Sequence, residues 1–217
     1  MWGPAELVSN FHWIIEGEAA RSSQGAGVFL GSILESHGIR ALVNLRGVHP
    51  QCRWWRKDEE LCARLGIARF DAMLDSRKLP TRRMLAALID AYEHAPRPLL
   101  IKCAGGQDRT SLGAAIYVLH RKDWAAREEA MAQLGRAYRH FPKRGQEWLA
   151  AFPAYAEEHA GGRPIAQWIR EAYDPADFAG WLDRNGLARG FGGIVSWPWM
   201  KSATALSRRR LESNIGR

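Results

Sequence analysis

Short apolar runs alternate with longer amphipathic stretches over the first 120 residues of the chain. The apolar runs have the length of buried strands and lie at residues 11–15, 41–45, 67–74 and 99–101. Before the last run, apolar residues recur at helical spacing and form one face: Met84, Leu85, Leu88, Ile89 and Tyr92. Strands that alternate with helices predict an α/β fold, in which helices flank a mainly parallel sheet of four to five strands.

Glycine, proline and serine mark where the predicted helices and loops begin and end. The stretch at residues 54–65 ends before Gly66 and is typical of a helix with a glycine stop. Pro80 is predicted to open the next helix in its first turn, where the missing N–H costs nothing. Helical spacing resumes from Thr110. Residues 21–31 are rich in Ser and Gly, so we expect a loop there.

The second half of the chain predicts further helices and then a tail without a clear period. Two or more helices are expected over residues 125–159, with Pro153 interrupting the last one. A Gly-Gly pair at residues 161–162 then indicates a boundary. We therefore expect a main domain at residues 1–160 and a C-terminal helical extension with a basic, Trp-rich tail at residues 161–217.

The composition favours a folded protein with a basic charge balance. Hydrophobic residues make up 47% of the 217-residue chain, which is enough for a sizeable core. Its 31 Lys and Arg exceed its 23 Asp and Glu and give a formal net charge of +8. That surplus favours a phosphoester, a membrane surface or nucleic acid, although a solvated basic surface gives the same count. No nucleic-acid motif accompanies the charge, so we expect no nucleic-acid partner.

The cysteines and the lengths of the apolar runs both favour a cytoplasmic protein. No apolar run approaches the roughly 18 residues of a membrane-spanning helix, and residues 1–10 lack the pattern of a secretion signal. Cys52, Cys62 and Cys103 match no zinc spacing and no even disulfide set. A reducing compartment suits such a chain best.

The tail at residues 197–210 combines two tryptophans with an arginine cluster at residues 208–210. One interpretation is peripheral contact with a membrane surface, with Trp at the interface and Arg on the headgroups. The alternative is that the tryptophans pack on the domain and the arginines are solvated. We favour the alternative, because no amphipathic helical period supports membrane contact.

The most informative segment is KCAGGQDRT at residues 102–110, between a predicted buried strand and a predicted helix. A phosphate dianion needs many donors, and the backbone N–H groups of a tight loop with two glycines can supply them. The N-terminus of the following helix adds its positive end, and Arg109 can bind two phosphate oxygens with its planar guanidinium. The candidate backbone donors belong to Ala104, Gly105, Gly106, Gln107 and Asp108.

The same positive field acts on Cys103. A cysteine near cations at a helix N-terminus can have its pKa lowered from about 8.5 into the range of about 3.5–7.5, which makes it a thiolate at neutral pH. Thr110 can donate a hydrogen bond to that sulfur. A lone cysteine after a strand is more often a small buried apolar residue, but the spacing to Arg109 favours a nucleophile.

Cys, five residues, Arg and then Thr resembles the signature loop of the cysteine-based protein tyrosine phosphatase superfamily. The Asp-Arg-Thr variant is most similar to its bacterial, dual-specificity-like members. Segments at residues 10–24, 41–46 and 96–101 are similar to the corresponding parts of those proteins. The resemblance covers roughly residues 10–140 of the chain.

This resemblance implies a phosphatase domain at residues 1–160 that needs no metal or other cofactor. Cys103 would form a phosphocysteine intermediate, Arg109 would hold the phosphate, and Thr110 would assist the thiolate. Two positions depart from the pattern. The His that usually precedes the nucleophile is Lys102, and the Gly that often follows the Thr is Ser111.

The leaving group of a phosphate ester needs a proton, so a carboxylic acid should lie on a neighbouring loop. The resemblance implies an Asp roughly 30 residues before the nucleophile, and Asp71 and Asp75 are the candidates. Asp71 is expected within the strand at residues 67–74, whereas Asp75 falls at its end, where a loop carboxyl can reach the site. We therefore favour Asp75. Asp108 is expected to brace the loop or to meet the substrate.

Several functions stay open at this point. The leading one is a phosphatase acting on phosphotyrosine, or on phosphoserine and phosphothreonine as well. The second is a phosphoinositide or other phospholipid phosphatase built on the same loop. The third is a catalytically silent phosphate-binding module, although intact Cys103 and Arg109 argue against it. Rhodanese-like sulfur transfer is remote, since those domains typically have a loop one residue shorter.

Overall fold

The structure is a computed structural model that describes residues 4–24, 29–190 and 192–195. The basic, Trp-rich tail therefore lies outside the described residues, together with the membrane contact considered for it.

A five-stranded sheet forms the centre of the described chain. Its strands are β1 (His12–Ile15), β2 (Ala19–Ser22), β3 (Ala41–Asn44), β4 (Ala68–Asp71) and β5 (Leu99–Lys102). They are ordered β1-β2-β5-β3-β4, with β1 antiparallel to β2 and the other pairs parallel. The prediction of an α/β fold with a mainly parallel sheet is confirmed. Because β5 is central, the chain leaving it emerges between the ends of β2 and β3.

Helices cover both faces of this sheet. They are α1 (Pro4–Val8), α2 (Phe29–Ser36), α3 (Arg53–Leu65), α4 (Arg82–His94), α5 (Asp108–Lys122), α6 (Arg127–Ala132), α7 (Trp148–Ala160), α8 (Ile165–Glu171) and α9 (Pro175–Arg184), with short 3-10 turns at Trp124–Ala126 and Arg136–Tyr138. Side chains alternate along β5, so Leu99 and Ile101 join the larger core under α4, α5 and α7, while Leu100 joins the smaller core under α2 and α3.

The predicted loop at residues 21–31 is only partly a loop, and this expectation was wrong for β2 and α2. The sequence of β2, Ala-Ala-Arg-Ser, has weak strand propensity, but all four residues are buried because they pair with β1 and β5. Helix α2 carries Leu30, Ile33 and Leu34 at helical spacing, a signal that the neighbouring glycines obscured.

Two prolines act differently from the sequence-based expectation. Helix α4 begins at Arg82, and its N-cap is Thr81, whose side chain accepts a hydrogen bond from the Met84 N–H. Pro80 therefore precedes the cap. Helix α7 continues through Pro153, which is buried in the core, so packing of its neighbours offsets the lost backbone bond.

The helices beyond the Gly-Gly pair pack into the larger core. Trp168, Tyr173 and Phe178 are buried and form a network of ring contacts with Phe152 and Tyr155 of α7. Aromatic contacts of this kind add to the area that each ring buries. The division into a domain at residues 1–160 and an extension stays a prediction, while α8 and α9 share the core of the preceding helices.

Among the described residues, no helix is both long enough and apolar enough to cross a membrane. The cytoplasmic location stays a prediction.

Candidate active site

The signature loop (residues 103–109) lies at the carboxyl end of β5, where ligands of parallel sheets ordinarily bind. Helix α5 begins at Asp108, within the loop and two residues earlier than the sequence predicted. Its N-terminus therefore contributes the positive end of the helix dipole to the loop. In the described chain, no hydrogen bond uses the backbone N–H of Ala104, Gly105, Gln107 or Asp108. These donors are available to a ligand.

Gly106 has no room for any side chain. Its φ is +65°, and a Cβ there would lie 2.5 Å from the Ser23 nitrogen and 2.7 Å from the Ser22 carbonyl carbon. Both contacts are with backbone, which cannot move aside cheaply. At Gly105 the nearest atom to a Cβ would be 3.7 Å away, in the Gln107 side chain. The tight turn therefore requires glycine at Gly106, the position where the loop passes the end of β2.

A buried arginine that the sequence analysis missed supports the loop from strand β2. Arg21 on β2 donates from Nη2 to the Gly106 carbonyl at 3.1 Å and to Ser111 Oγ at 2.7 Å. Its Nη1 donates to the Gln133 carbonyl at 2.8 Å. Burial lowers the pKa of Arg21 to about 10, so it stays charged at neutral pH. Asn10 Nδ2 donates to the same Gly106 carbonyl at 3.0 Å.

Cys103 is a free thiol with only 3% of its surface exposed. Burial alone would raise its pKa. The charge of Arg109, the Thr110 hydroxyl, and the backbone N–H groups of Thr110 and Gly106 together outweigh burial and lower the pKa below the ordinary cysteine value. The site therefore favours the thiolate, in contrast to Cys62, whose pKa burial raises to about 11.

The Thr110 hydroxyl lies next to this sulfur without a settled hydrogen bond. Its Oγ1 is buried and has no partner of ordinary hydrogen-bond geometry among the described residues. Its effect on the pKa of Cys103 nevertheless requires proximity to the sulfur. The hydroxyl is therefore one of the groups that stabilise a thiolate at Cys103.

Two arginines face the same site without a carboxylate partner. Arg109 is half-buried, and within the described ranges its guanidinium makes no hydrogen bond or ion pair. Arg46 lies 3.5 Å above the Trp54 ring and makes a 3.4 Å contact with Gln24 Oε1. Burial and then the charge of Arg109 lower the pKa of Arg46. Two nearby cations that repel each other create a site that an anion would stabilise.

Asp71 lies at the end of β4 and is held by neighbouring side chains. Its Oδ1 accepts from Asn44 Nδ2 at 2.7 Å and from Arg69 Nη2 at 2.9 Å, and its Oδ2 accepts from Trp55 Nε1 at 3.2 Å. Burial raises the pKa of Asp71, although these hydrogen-bond donors act in the opposite direction. A raised pKa is what the role of proton donor would require. The geometry opposes that role, because both oxygens already accept bonds and the side chain is only 8% exposed.

Asp75 lies on the acid loop (residues 72–81), which connects β4 to α4 at the same edge of the sheet as the signature loop. Its Oδ1 accepts hydrogen bonds from the backbone N–H groups of Arg77 at 2.7 Å and Lys78 at 3.1 Å. The side chain is partly exposed, and Oδ2 makes none of these bonds. Of the two candidate acids, Asp75 has the more accessible carboxyl.

Asp108 and Lys102 are both committed to other side chains. Asp108 accepts a hydrogen bond from Gln146 Nε2 at 3.0 Å and lies 3.2 Å from His140 Nδ1. Lys102 Nζ lies 2.6 Å from Asp58 Oδ2 and donates to Gln24 Oε1. The Lys102 side chain is fully buried, and burial lowers its pKa despite Asp58. The contacts of Asp108 join the signature loop to residues 140 and 146, as a bracing role would require.

Solved structures with a similar fold include a protein described as a phosphatase, and this agrees with the fold that the sequence resemblance implied. No protein-family model and no curated protein matches the chain. A DUF442 protein classed as a phosphatase, from Shewanella putrefaciens CN-32, matches at a TM-score of 0.52 with 15% identity, covering 70% of this chain and 95% of that one.

Two further solved structures match less closely. The catalytic core of the PP-IP phosphatase Siw14 from S. cerevisiae has a TM-score of 0.49 and 20% identity, covering 82% of this chain and 93% of that one. TpbA from P. aeruginosa has a TM-score of 0.49 and 14% identity, covering 87% and 95%. At such identities the likeness concerns the fold, and the function must be argued from the site itself.

Proposed function

We propose that this chain is a cysteine-dependent phosphatase that hydrolyses phosphate monoesters through a phosphocysteine at Cys103. One observation carries the proposal. The buried thiol has a lowered pKa beside Arg109, whose guanidinium has no partner in the described chain. The free backbone donors of the loop surround the same place. A nucleophile whose pKa is lowered, next to backbone and guanidinium donors that can bind a phosphoryl group, is the arrangement that phosphoryl transfer requires.

In the first step the Cys103 thiolate attacks phosphorus, and a sulfur–phosphorus bond forms while the bond to the leaving oxygen breaks. Asp75, protonated, donates its proton to that oxygen. Arg109 and the backbone N–H groups of residues 104–108 stabilise the charge on the three remaining phosphoryl oxygens.

In the second step water attacks the phosphocysteine, and Asp75, now a carboxylate, takes the proton from that water. The sulfur–phosphorus bond breaks and releases inorganic phosphate. Cys103 leaves as a thiolate, to which Thr110 donates its hydroxyl hydrogen bond. The hydroxyl that helps to lower the pKa of Cys103 therefore also stabilises the sulfur as a leaving group.

We propose phosphorylated protein as the substrate, with phosphotyrosine first and phosphoserine or phosphothreonine second, in the cytoplasm. A phosphoinositide or another phospholipid is the second candidate. The charge of Arg46 near Arg109, which has no carboxylate partner among the described residues, and the net charge of +8 favour a substrate with more than one anionic group. Turnover of phosphopeptides, phosphoinositides and phosphatidylglycerophosphate by the same preparation separates the two. Hydrolysis of lipids alone would refute the protein-substrate proposal.

The activity itself is tested with p-nitrophenyl phosphate and reduced protein. Wild type should release p-nitrophenol, and Cys103→Ser should reduce turnover to background while it retains phosphate binding. Cys52→Ser is the matched control, because Cys52 is a free cysteine outside the signature loop and its loss should leave turnover unchanged. Inactive wild type that still binds phosphopeptide would support the silent binding module instead.

The general acid is assigned by leaving groups of different basicity. Asp75→Asn should slow hydrolysis of phenyl phosphate far more than that of p-nitrophenyl phosphate, because only the poorer leaving group depends strongly on a proton. Asp71→Asn should reduce stability and slow both esters by a similar factor, since Asp71 holds Arg69 and Trp55. The opposite pattern would assign the role to Asp71.

A further inference from the structure

A segment near the C-terminus pairs with the acid loop. This C-terminal segment (residues 192–195) lies more than 110 positions after the loop, yet three backbone hydrogen bonds join them. Gly192 donates to the Arg77 carbonyl at 2.6 Å, Leu79 donates to the Gly193 carbonyl at 2.9 Å, and Val195 donates to the Leu79 carbonyl at 3.0 Å. The pairing is a parallel bridge between Leu79 and Ile194. The acid loop is therefore joined to the C-terminal extension by an isolated bridge and the three backbone hydrogen bonds around it.

Side-chain packing supports the same pairing. Val195 is only 7% exposed and forms a small apolar cluster with Met84, against which Met73 packs. Gly192 lies against the loop so closely that a Cβ would be 3.1 Å from Lys78 Cγ and 3.3 Å from the Arg77 carbonyl oxygen. The segment thus contacts the acid loop through backbone and side chains alike.

The pairing acts on the part of the loop that holds the Asp75 carboxyl. Asp75 accepts from the N–H groups of Arg77 and Lys78, so its side chain moves with those residues. The Arg77 carbonyl and both backbone polar groups of Leu79 form hydrogen bonds with the C-terminal segment. Residues 77–79 are therefore bonded to Asp75 through their N–H groups at 77 and 78, and to the C-terminal segment at 77 and 79. Trp148 of α7 adds a bond from Nε1 to the Ser76 carbonyl at 3.2 Å.

We propose that the C-terminal segment positions the general acid. By fixing residues 77–79, it keeps the Asp75 carboxyl in a position from which it can protonate the leaving oxygen, and it limits the loop to one conformation. This inference rests on the proposed function, since it assigns the segment a role in protonating the leaving group. A displacement of about 1 Å at a reacting group can cost about a hundredfold in rate. Without the segment, the Tyr173 hydroxyl would still donate to the Pro80 carbonyl at 2.8 Å and Trp148 to the Ser76 carbonyl. Residues 77–79 would lose their backbone bonds to residues 192–195.

The test separates the backbone bond from packing. Val195→Pro removes the N–H that donates to Leu79, whereas Val195→Ala keeps the N–H and removes only side-chain contact. Val8→Ala is the matched control, because Val8 is 54% exposed on α1, remote from the acid loop in the chain. Each full-length variant is measured with phenyl phosphate and p-nitrophenyl phosphate, and its unfolding is followed in urea.

We expect Val195→Pro to slow phenyl phosphate at least about tenfold more than p-nitrophenyl phosphate, because part of the 10²–10⁴ contribution of a general acid is lost. Val195→Ala should change the ratio of the two rates much less, and Val8→Ala should leave it unchanged. Equal slowing of both esters by Val195→Pro, or none, overturns the positioning role.

If Val195→Pro does not fold, Gly192→Ala provides a second test. It adds a Cβ that pushes the segment away from Lys78 and Arg77. It should shift the ratio of rates in the same direction by a smaller factor, and an unchanged ratio contradicts the proposal. The proposed function fails separately. If wild type hydrolyses neither ester, the phosphatase proposal is wrong, whereas active wild type with uniformly slowed variants refutes only the positioning role of the C-terminal segment.

Discussion

The ion pair between Lys102 and Asp58 permits a quantitative test of how the signature loop is supported. Lys102 ends β5 immediately before Cys103, and its ammonium lies 2.6 Å from Asp58 of α3. The two side chains are 0% and 3% exposed. Gln24 accepts from Lys102, donates to Asp58, and donates its backbone N–H to the Ala104 carbonyl. The perturbation is Asp58→Asn, which keeps the shape of the side chain and removes its charge.

The magnitude follows from leaving an ammonium without its carboxylate. Attraction at this distance amounts to about 6 kcal/mol at an effective dielectric constant of about 20, most of which offsets the desolvation of both ions. Removing one partner of a buried pair typically costs about 3–5 kcal/mol. Lys102 can limit the cost by releasing its proton, which at pH 7 requires about 4.6 kcal/mol. We therefore expect Asp58→Asn to lower the free energy of unfolding by about 3–5 kcal/mol.

Urea unfolding of four proteins measures this value: wild type, Asp58→Asn, Lys102→Met, and the double variant Lys102→Met/Asp58→Leu. The double variant should recover most of the loss, because no charge is then buried alone. In Asp58→Asn the folded pKa of Lys102 lies further below its unfolded value, so the unfolded state binds more protons. The stability of that variant should therefore rise between pH 7 and pH 10. A loss below about 1 kcal/mol in Asp58→Asn, with no such rise, would refute the reasoning.

The remaining predictions concern the loop itself. Thr110→Ala should raise the pKa of Cys103. The acidic limb of kcat/KM and the pH dependence of thiol alkylation should then both move to higher pH. An unchanged profile would contradict the role of the hydroxyl. Gly106→Ala should lower kcat/KM by about a hundredfold or more, because its Cβ would displace the loop, and Gly105→Ala, which has room, should lower it far less. Arg21→Lys should lower the free energy of unfolding in urea by about 3 kcal/mol, because an ammonium cannot make the three hydrogen bonds of the guanidinium to Gly106, Ser111 and Gln133. Equal stability of the variant and wild type would contradict this.

The parts of the fold that the sequence predicted carry their own local signals. Helix α3 ends where Gly66 adopts a left-handed conformation, and β3, β5 and α5 have continuous apolar patterns. Strand β2 could not be found in this way, because Ala-Ala-Arg-Ser becomes a strand only through pairing on both of its edges. Tertiary pairing decides such a short, weakly patterned segment.

The same distinction holds for the candidate site. Residues from Cys103 to Thr110 are contiguous, so their spacing alone indicated the chemistry. The supporting residues come from elsewhere in the chain, and their local sequence gives no role for them: Asn10 and Arg21 for the loop, and Asp58 for Lys102. The C-terminal segment likewise reaches the acid loop only through the fold.

The account rests most directly on a covalent phosphorylated intermediate at Cys103. Rapid acid quenching during turnover of a ³²P-labelled ester, followed by peptide mapping, measures whether phosphate is bound to the enzyme and to which residue. We predict label on the peptide that contains Cys103, and no label in Cys103→Ser or after alkylation of the thiol. Turnover without any labelled enzyme, or label on another residue, would contradict the central claim.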